Sequence, residues 1–318
     1  MEKPLPPPIF DAILPPNRDY DYFQNWKLHP FRHLAESFEP VNAWWLADAA
    51  LLSYAEEAFI RETFRRVGLE ESGLELEFLG GGSTECFVAH NRDFVIVAFR
   101  GTEVRRPPGV SGLENIFADF LVDAQCTLVE SGQKGKVHKG FKEALDRIWH
   151  SQDQQSLNAR LDRIREEGSP QQTLWFTGHS SGAAFATLTA HRYGHAQGVY
   201  TFGSPRVGDK DFAADFTPRT YRFVNNNDFI TRLPPPGWYE HVGVVKYIDR
   251  TGAVRDPPGL WGRLEDGFRS TLDRLLEVGR LKSGILKVVP FDSIADHAPI
   301  YYAIHAWNHY VRGSRKKG

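Results

Sequence analysis

The chain has 318 residues, of which 41% are hydrophobic and 13% aromatic, and its formal net charge is −2 at pH 7. This length and apolar content are enough for one large core, and they predict a single α/β domain with insertions. The near-neutral charge, with no basic stripe before the terminal Arg315-Lys316-Lys317, excludes nucleic acid as the main partner.

The first residues lead to an expectation about location. No run of residues reaches the length of a membrane span, and the N-terminal residues lack the apolar core of a secretory signal. We therefore expect a soluble protein that is cytoplasmic by default, with export by another route left open. Residues 1–40 are rich in proline and aromatic residues, which predicts an extended arm on the surface of a single domain formed by residues 41–318.

The first half of the domain shows a change of pattern from helix to strand. Apolar residues recur at helical spacing over residues 41–66 and predict one long amphipathic helix. Strands are predicted at residues 75–79, 86–89 and 94–99, with a turn at residues 91–93. Cys86 and Cys126 are too few for a disulfide framework and lack metal-ligand spacing, so we expect two free thiols in the core.

Strands alternate with helices in the second half. A helix is predicted over residues 140–164, and strands are predicted over residues 173–177, 198–202, 221–225 and 242–248. A helix of small residues follows the first of these strands and ends at Gly194. This alternation predicts a largely parallel sheet with helices on both faces, the doubly wound α/β class.

The sequence Gly178-His179-Ser180-Ser181-Gly182 joins that strand to that helix. Glycines on both sides of a serine allow the chain to reverse sharply, as in the nucleophile elbow that exposes a serine oxygen above a sheet. Because a helix begins there, unpaired amides and the helix dipole favour a nearby oxyanion. Ser180 is therefore the candidate nucleophile; an ordinary strand, turn and helix with a serine in the bend is the alternative.

A nucleophilic serine needs a histidine base and a carboxylate, which follow it in the chain order Ser, Asp or Glu, His in this architecture. Asp228 fits the carboxylate because it follows a predicted strand, although an Asx turn would also explain it. His191 and His195 lie at the far end of the elbow helix and are poor candidates, whereas His241 and His297 both remain open. The downstream histidines are His191, His195, His241, His297, His305 and His309.

A series of segments in one order, spanning about residues 42–310, resembles the class 3, fungal-type triacylglycerol lipases of the α/β-hydrolase fold. The segments are Phe99-Arg100-Gly101-Thr102, Val137-His138-Lys139-Gly140-Phe141, the elbow, Thr201-Phe202-Gly203-Ser204-Pro205-Arg206-Val207-Gly208, Asn227-Asp228, His241-Val242-Gly243 and Asp296-His297-x-x-x-Tyr301. The resemblance implies a triad of Ser180, Asp228 and His297, and it makes His241 a strand-start feature and only the second choice for the base.

The resemblance also implies an oxyanion hole formed by Thr102 and the amide of Ser181. Asp119 either orients the Thr102 hydroxyl or is a surface aspartate near a helix start. The implied activity is hydrolysis of carboxylic esters, most of all acylglycerols, without a metal or cofactor and with an oil–water interface as a possible partner. Phospholipase A1 or feruloyl-type esterase activity on the same triad stays open, as does a lipid-binding relative with a silent triad.

The sequence departs from the family's usual pattern in the elbow, at Ser181 and at Gly182-Ala183, and in the lid segment. Ser181 stands where the family has leucine, and a backbone amide donates whatever its side chain, so we expect the oxyanion hole to survive. Residues 103–113, where related lipases carry an amphipathic lid, contain two prolines and few apolar residues. Residues 261–281 have helical spacing within a cap insertion near 252–290, and we expect either a helix packed on the body or a cap that binds the acyl chain or moves at an oil interface.

Overall fold

The computed structural model describes residues 1–81, 84–102, 127–149, 156–256 and 295–315. Its strands, in chain order, are β1 (Glu75–Gly81), β2 (Thr84–His90), β3 (Phe94–Phe99), β4 (Leu128–Glu130), β5 (Lys136–His138), β6 (Thr173–His179), β7 (Ala196–Phe202), β8 (Thr220–Asn225), β9 (Val244–Ile248) and β10 (Val254–Arg255). Within these residues, eight strands form one sheet in the order β1-β2-β3-β6-β7-β8-β9-β10, and β4 pairs with β5.

The middle of the sheet is parallel. Strands β3, β6, β7, β8 and β9 pair in parallel, with Phe99 opposite Gly178 and Gly178 opposite Thr201. Strands β1, β2 and β10 are antiparallel additions at the two edges. The carboxyl ends of β3, β6, β7 and β8 therefore meet at one edge of the sheet, where open α/β sheets place their ligands.

Helices cover both faces of this sheet. They are α1 (Phe10–Ile13), α2 (Pro40–Leu52), α3 (Glu57–Val67), α4 (Lys139–Trp149), α5 (Leu157–Glu167), α6 (Ser181–Tyr193), α7 (Lys210–Asp215) and α8 (Pro299–Arg315). One core contains α2, α8 and side chains such as Trp175, and the other contains α4, α5, α6 and alternate strand residues such as Phe176. The expected mostly parallel α/β sheet with helices on both faces is confirmed.

Two helix predictions were wrong in extent. The helix predicted over residues 41–66 is two helices, because the chain leaves α2 at Ser53, whose hydroxyl donates to the carbonyl oxygens of Ala50 and Phe99. Nearly all of α2 is buried, so it is not amphipathic. The prediction of one helix over residues 140–164 was wrong because a separate helix, α5, begins after Ser156. The Ser156 side chain caps α5 by accepting from the Ala159 amide.

The N-terminal residues pack against α2 and α8. Tyr22 and Phe23 are buried, the Trp307 indole donates to the Met1 carbonyl oxygen, and the Asn308 side chain exchanges two hydrogen bonds with the backbone of Lys3. The division into an arm of residues 1–40 and a domain of residues 41–318 stays a prediction.

Cys86 is a buried free thiol, and burial raises its pKa to about 12. Several other predictions concern residues outside the described ones: Cys126, Asp119, the lid segment of residues 103–113, and the helical stretch of residues 261–281 within the cap insertion.

Candidate active site

The elbow has the sharp geometry that its glycines suggest. Ser180 lies between β6 and α6 with φ 58° and ψ −127°, a backbone conformation that costs a residue with a side chain about 1–3 kcal/mol. A Cβ on Gly178 would lie 2.3 Å from the carbonyl oxygen of Gly182, and a Cβ on Gly182 would lie 2.3 Å from that of Phe99. Both positions therefore require glycine, because Gly178 faces the start of α6 and Gly182 faces the end of β3, in each case backbone against backbone.

This close packing brings the two expected oxyanion residues together. The hydroxyl oxygens of Thr102 and Ser181 are 3.0 Å apart. Ser181 is the first residue of α6, so its amide has no acceptor within the helix and lies at the positive end of the helix dipole. The arrangement can stabilise a developing negative oxygen, and the role of the two amides as its donors stays a prediction.

Asp228 and His297 form a buried pair. Nδ1 of His297 lies 2.8 Å from Oδ2 of Asp228, and both side chains are almost completely shielded from solvent. The other carboxylate oxygen, Oδ1, accepts from the Ile230 amide at 3.0 Å. Asp228 is thus both the turn residue and the histidine partner, two interpretations that the sequence presents as alternatives.

The asparagine-rich segment before Asp228 holds this pair in register. The carboxylate of Asp296 accepts from the Asn226 side chain at 2.9 Å and from the Asn227 amide at 3.1 Å. The Asn225 side chain donates to the Asp296 carbonyl oxygen at 2.9 Å. These bonds fasten the loop that carries Asp228 to the residue that precedes His297, although the two lie far apart in the sequence.

Gly203, at the end of β7, leaves the space that the pair occupies. Its φ is +58°, and a Cβ there would lie 2.9 Å from Oδ2 of Asp228 and 3.0 Å from Nδ1 of His297. No side chain fits at this position without moving one of the two groups.

Tyr302 is a site residue that the sequence motif misses. Its hydroxyl donates to Oδ2 of Asp228 at 2.6 Å and accepts from the Asn225 amide at 3.0 Å. Burial and the negative charge of Asp228 raise the pKa of Tyr302 well above its usual range. Tyr301, the tyrosine of the motif, instead donates to the Pro6 carbonyl oxygen. The rotation of α8 about its axis determines which of the two tyrosines faces Asp228, and the sequence motif carries no information about that rotation.

Two further residues reach the site from the other side of His297. Nε2 of His179 lies 2.7 Å from the carbonyl oxygen of His297, and Nδ1 of His179 lies 2.8 Å from the Tyr54 hydroxyl. The rings of His179 and His297 are 4.5 Å apart between centroids, so His297 lies beside the elbow. Burial, and secondarily His297, lowers the pKa of His179 well below its usual range.

The other histidine candidates lie elsewhere. The Nε2 of His241 donates to the Thr231 carbonyl oxygen at 2.7 Å, and burial, with Arg222 and Arg206 nearby, lowers the pKa of His241. The ring of His191 is 3.1 Å from Asp215 at the far end of α6. The structure therefore brings Asp228 and His297 together beside His179, the residue before Ser180, whereas His241 bonds to Thr231.

In the described parts of the chain, no group of three or more His, Cys, Asp or Glu side chains is arranged to hold a metal ion. Every helix described is too short or too polar to cross a bilayer.

The chain is similar to known lipases. The model of the class 3 lipases matches residues 96–238. A secreted mono- and diacylglycerol lipase of Fusarium solani is 33% identical over 52% of this chain and 49% of its own length. Phospholipase A1-IIgamma of Arabidopsis thaliana is 28% identical over 65% of this chain and 54% of its own. A secreted mono- and diacylglycerol lipase of Malassezia globosa is 29% identical over 59% and 64%.

The chain thus matches about half to two thirds of the length of these relatives. The crystal structure of a lipase from Rhizopus microsporus var. chinensis superimposes with a TM-score of 0.51 at 22% identity, covering 65% of this chain and 72% of that one. This similarity shows the fold, which is the α/β-hydrolase fold that the sequence predicts.

The expectation of a cytoplasmic protein was wrong. Both the Fusarium and the Malassezia relatives are named as secreted lipases. The expectation depended on the missing apolar core of a signal, and such an absence carries little information about where a protein works.

Proposed function

We propose that this chain, which belongs to the class 3 lipase family, is a serine hydrolase that cleaves carboxylic esters of acylglycerols. The observation that carries the proposal is the buried Asp228–His297 pair, 2.8 Å apart, whose imidazole lies against the residue preceding Ser180 in the elbow. A carboxylate, a histidine and a strained serine at one sheet edge are the groups that acyl transfer requires.

The proposed reaction uses these groups in order. Nδ1 of His297 is bonded to Asp228, so Nε2 takes the proton of the Ser180 hydroxyl while its oxygen attacks the ester carbonyl. The amides of Thr102 and Ser181 stabilise the oxyanion, at about 3–4 kcal/mol of barrier for one such donor. His297 then protonates the leaving alcohol. Water attacks the acyl-enzyme in the same way, with the Asp228 carboxylate stabilising the imidazolium in both halves of the reaction.

The substrate is part of the proposal. Monoacylglycerols and diacylglycerols are favoured because two similar proteins are named as lipases of these compounds. Phospholipids are the second candidate, because the Arabidopsis relative is named as a phospholipase A1. An oil–water interface is the proposed setting for either substrate.

The test is a substrate panel with matched variants. Purified protein is assayed on p-nitrophenyl esters from acetate to palmitate, on emulsified mono-, di- and triacylglycerols, and on a phospholipid. We expect hydrolysis of the esters and acylglycerols, and we expect Ser180→Ala to abolish it without unfolding the protein. Ser72→Ala, which removes a hydroxyl bonded to the Leu69 carbonyl far from the elbow, is the control and should keep full activity. Turnover by Ser180→Ala would end the proposal, and preference for the phospholipid would favour the second candidate.

A further inference from the structure

We infer that Tyr54 and His179 are positioning residues that hold the backbone of His297 beside Ser180. This inference deepens the proposed function and rests on it. We name the two side chains together the Tyr54–His179 bracket.

Hydrogen-bond chemistry fixes the direction of both bonds in the bracket. A carbonyl oxygen can only accept, so Nε2 of His179, 2.7 Å from the His297 carbonyl oxygen, carries the proton. A neutral imidazole then presents Nδ1 as an acceptor, and the Tyr54 hydroxyl donates to it at 2.8 Å. Both side chains are buried. Both ring nitrogens of His179 are thus committed, which leaves this histidine no part in proton transfer with substrate.

The bracket is anchored where α2 ends. Ser53 donates to the Phe99 carbonyl oxygen, which fixes the chain next to Tyr54 against the end of β3. A Cβ on Gly101 would lie 2.1 Å from the Tyr54 hydroxyl oxygen and 2.6 Å from the His179 carbonyl oxygen. The bracket therefore also packs against the residue before Thr102, and one pair of side chains contacts both the oxyanion segment and the segment of the base.

His297 is consequently held from two sides. Asp228 fixes its imidazole, and His179 fixes its carbonyl oxygen, in the short segment between Asp296 and α8. Orientation by Asp228 alone leaves the backbone of this segment able to shift relative to the elbow. Displacement of a reacting group by about 1 Å can lower a rate by about a hundredfold. Burial, and secondarily His297, lowers the pKa of His179, which favours a neutral ring, and the bonds to Tyr54 and His297 fix its tautomer.

Three variants test the bracket on soluble p-nitrophenyl butyrate. Tyr54→Phe removes the donor that fixes the tautomer, and we expect kcat to fall about tenfold with KM within about twofold of the wild type. His179→Leu removes the bond to His297 and should lower kcat about a hundredfold. His179→Gln keeps an amide donor at similar reach, so we expect it to recover most of that loss.

Tyr20→Phe is the matched control. It also deletes a buried tyrosine hydroxyl, one that donates to Asp48 at 2.9 Å in another part of the core. We expect Tyr20→Phe to lower thermal stability about as much as Tyr54→Phe and to leave kcat unchanged. This comparison separates a loss of positioning from a loss of folded protein.

The outcomes distinguish the inference from the proposed function. Wild-type hydrolysis together with unchanged kcat in Tyr54→Phe and His179→Leu would overturn the bracket and leave the hydrolase standing. Equal losses in His179→Gln and His179→Leu, or losses that only follow the folded fraction as in Tyr20→Phe, would also overturn it. A wild-type chain that hydrolyses no ester would overturn the proposed function and the bracket with it.

Discussion

Gly203→Ala adds a single methyl group directly beside the Asp228–His297 pair. The new Cβ would lie 2.9 Å from Oδ2 of Asp228 and 3.0 Å from both Cε1 and Nδ1 of His297. Carbon atoms normally keep about 3.5 Å from such neighbours. The carboxylate or the imidazole must therefore retreat by about 0.5 Å, which disturbs the 2.8 Å bond between them.

Two separate costs follow from this substitution. The first is backbone strain, because Gly203 has φ +58° and an L-residue in this region costs about 1–2 kcal/mol of stability. The second is misplacement of the base, for which we expect a loss in kcat approaching a hundredfold. The variant should therefore remain folded and lose most of its activity.

Gly73→Ala isolates the first cost. Gly73 has φ +84°, and a Cβ there would meet no atom within 4 Å. Urea unfolding should show a loss of about 1–2 kcal/mol for Gly73→Ala and a larger loss for Gly203→Ala, whose Cβ also displaces the buried pair. Ester hydrolysis should fall only in Gly203→Ala. Wild-type kcat in Gly203→Ala, or an equal loss of kcat in Gly73→Ala, would refute the reasoning.

Three other predictions concern single side chains. Tyr302→Phe removes a donor to Asp228 and should lower kcat about tenfold, measured on p-nitrophenyl butyrate; an unchanged kcat would mean that this bond orients nothing. Ser181→Leu keeps the backbone amide and should hold kcat within about threefold of the wild type, whereas a hundredfold loss would assign the oxyanion contact to the hydroxyl. Burial raises the pKa of Asp48 to about 6, so the folded state binds its proton more tightly than the unfolded chain. The cost of the buried charge is present above pH 6 and disappears toward pH 4, so the wild type should gain unfolding free energy relative to Asp48→Asn as pH falls through that range. A constant difference across this range would contradict it.

Local signals made most of the fold and the candidate site predictable from the sequence. The strands at the sheet centre are short apolar runs bounded by polar turns, and Gly178 is required by a backbone contact with Gly182, within a few residues of Ser180. The choice of His297 over His241 was different in kind. It came from the family resemblance, because nothing in the neighbourhood of either histidine identifies the base.

What the sequence did not predict depends on contacts between distant segments. The break between α2 and α3 is invisible in the helical spacing because Ser53 and Tyr54 are turned by bonds to Phe99 and His179. Tyr302 was missed for the same reason, since its partner Asp228 lies in another loop and only the packing of α8 selects it over Tyr301.

The most direct test of the central claim is to find the residue that a fluorophosphonate modifies. We predict one adduct per chain, located on Ser180 by peptide mass spectrometry. It should be absent in Ser180→Ala and formed far more slowly in His297→Ala, with loss of esterase activity in proportion to labelling. An adduct on another residue, or full esterase activity after Ser180 is labelled, would contradict the account.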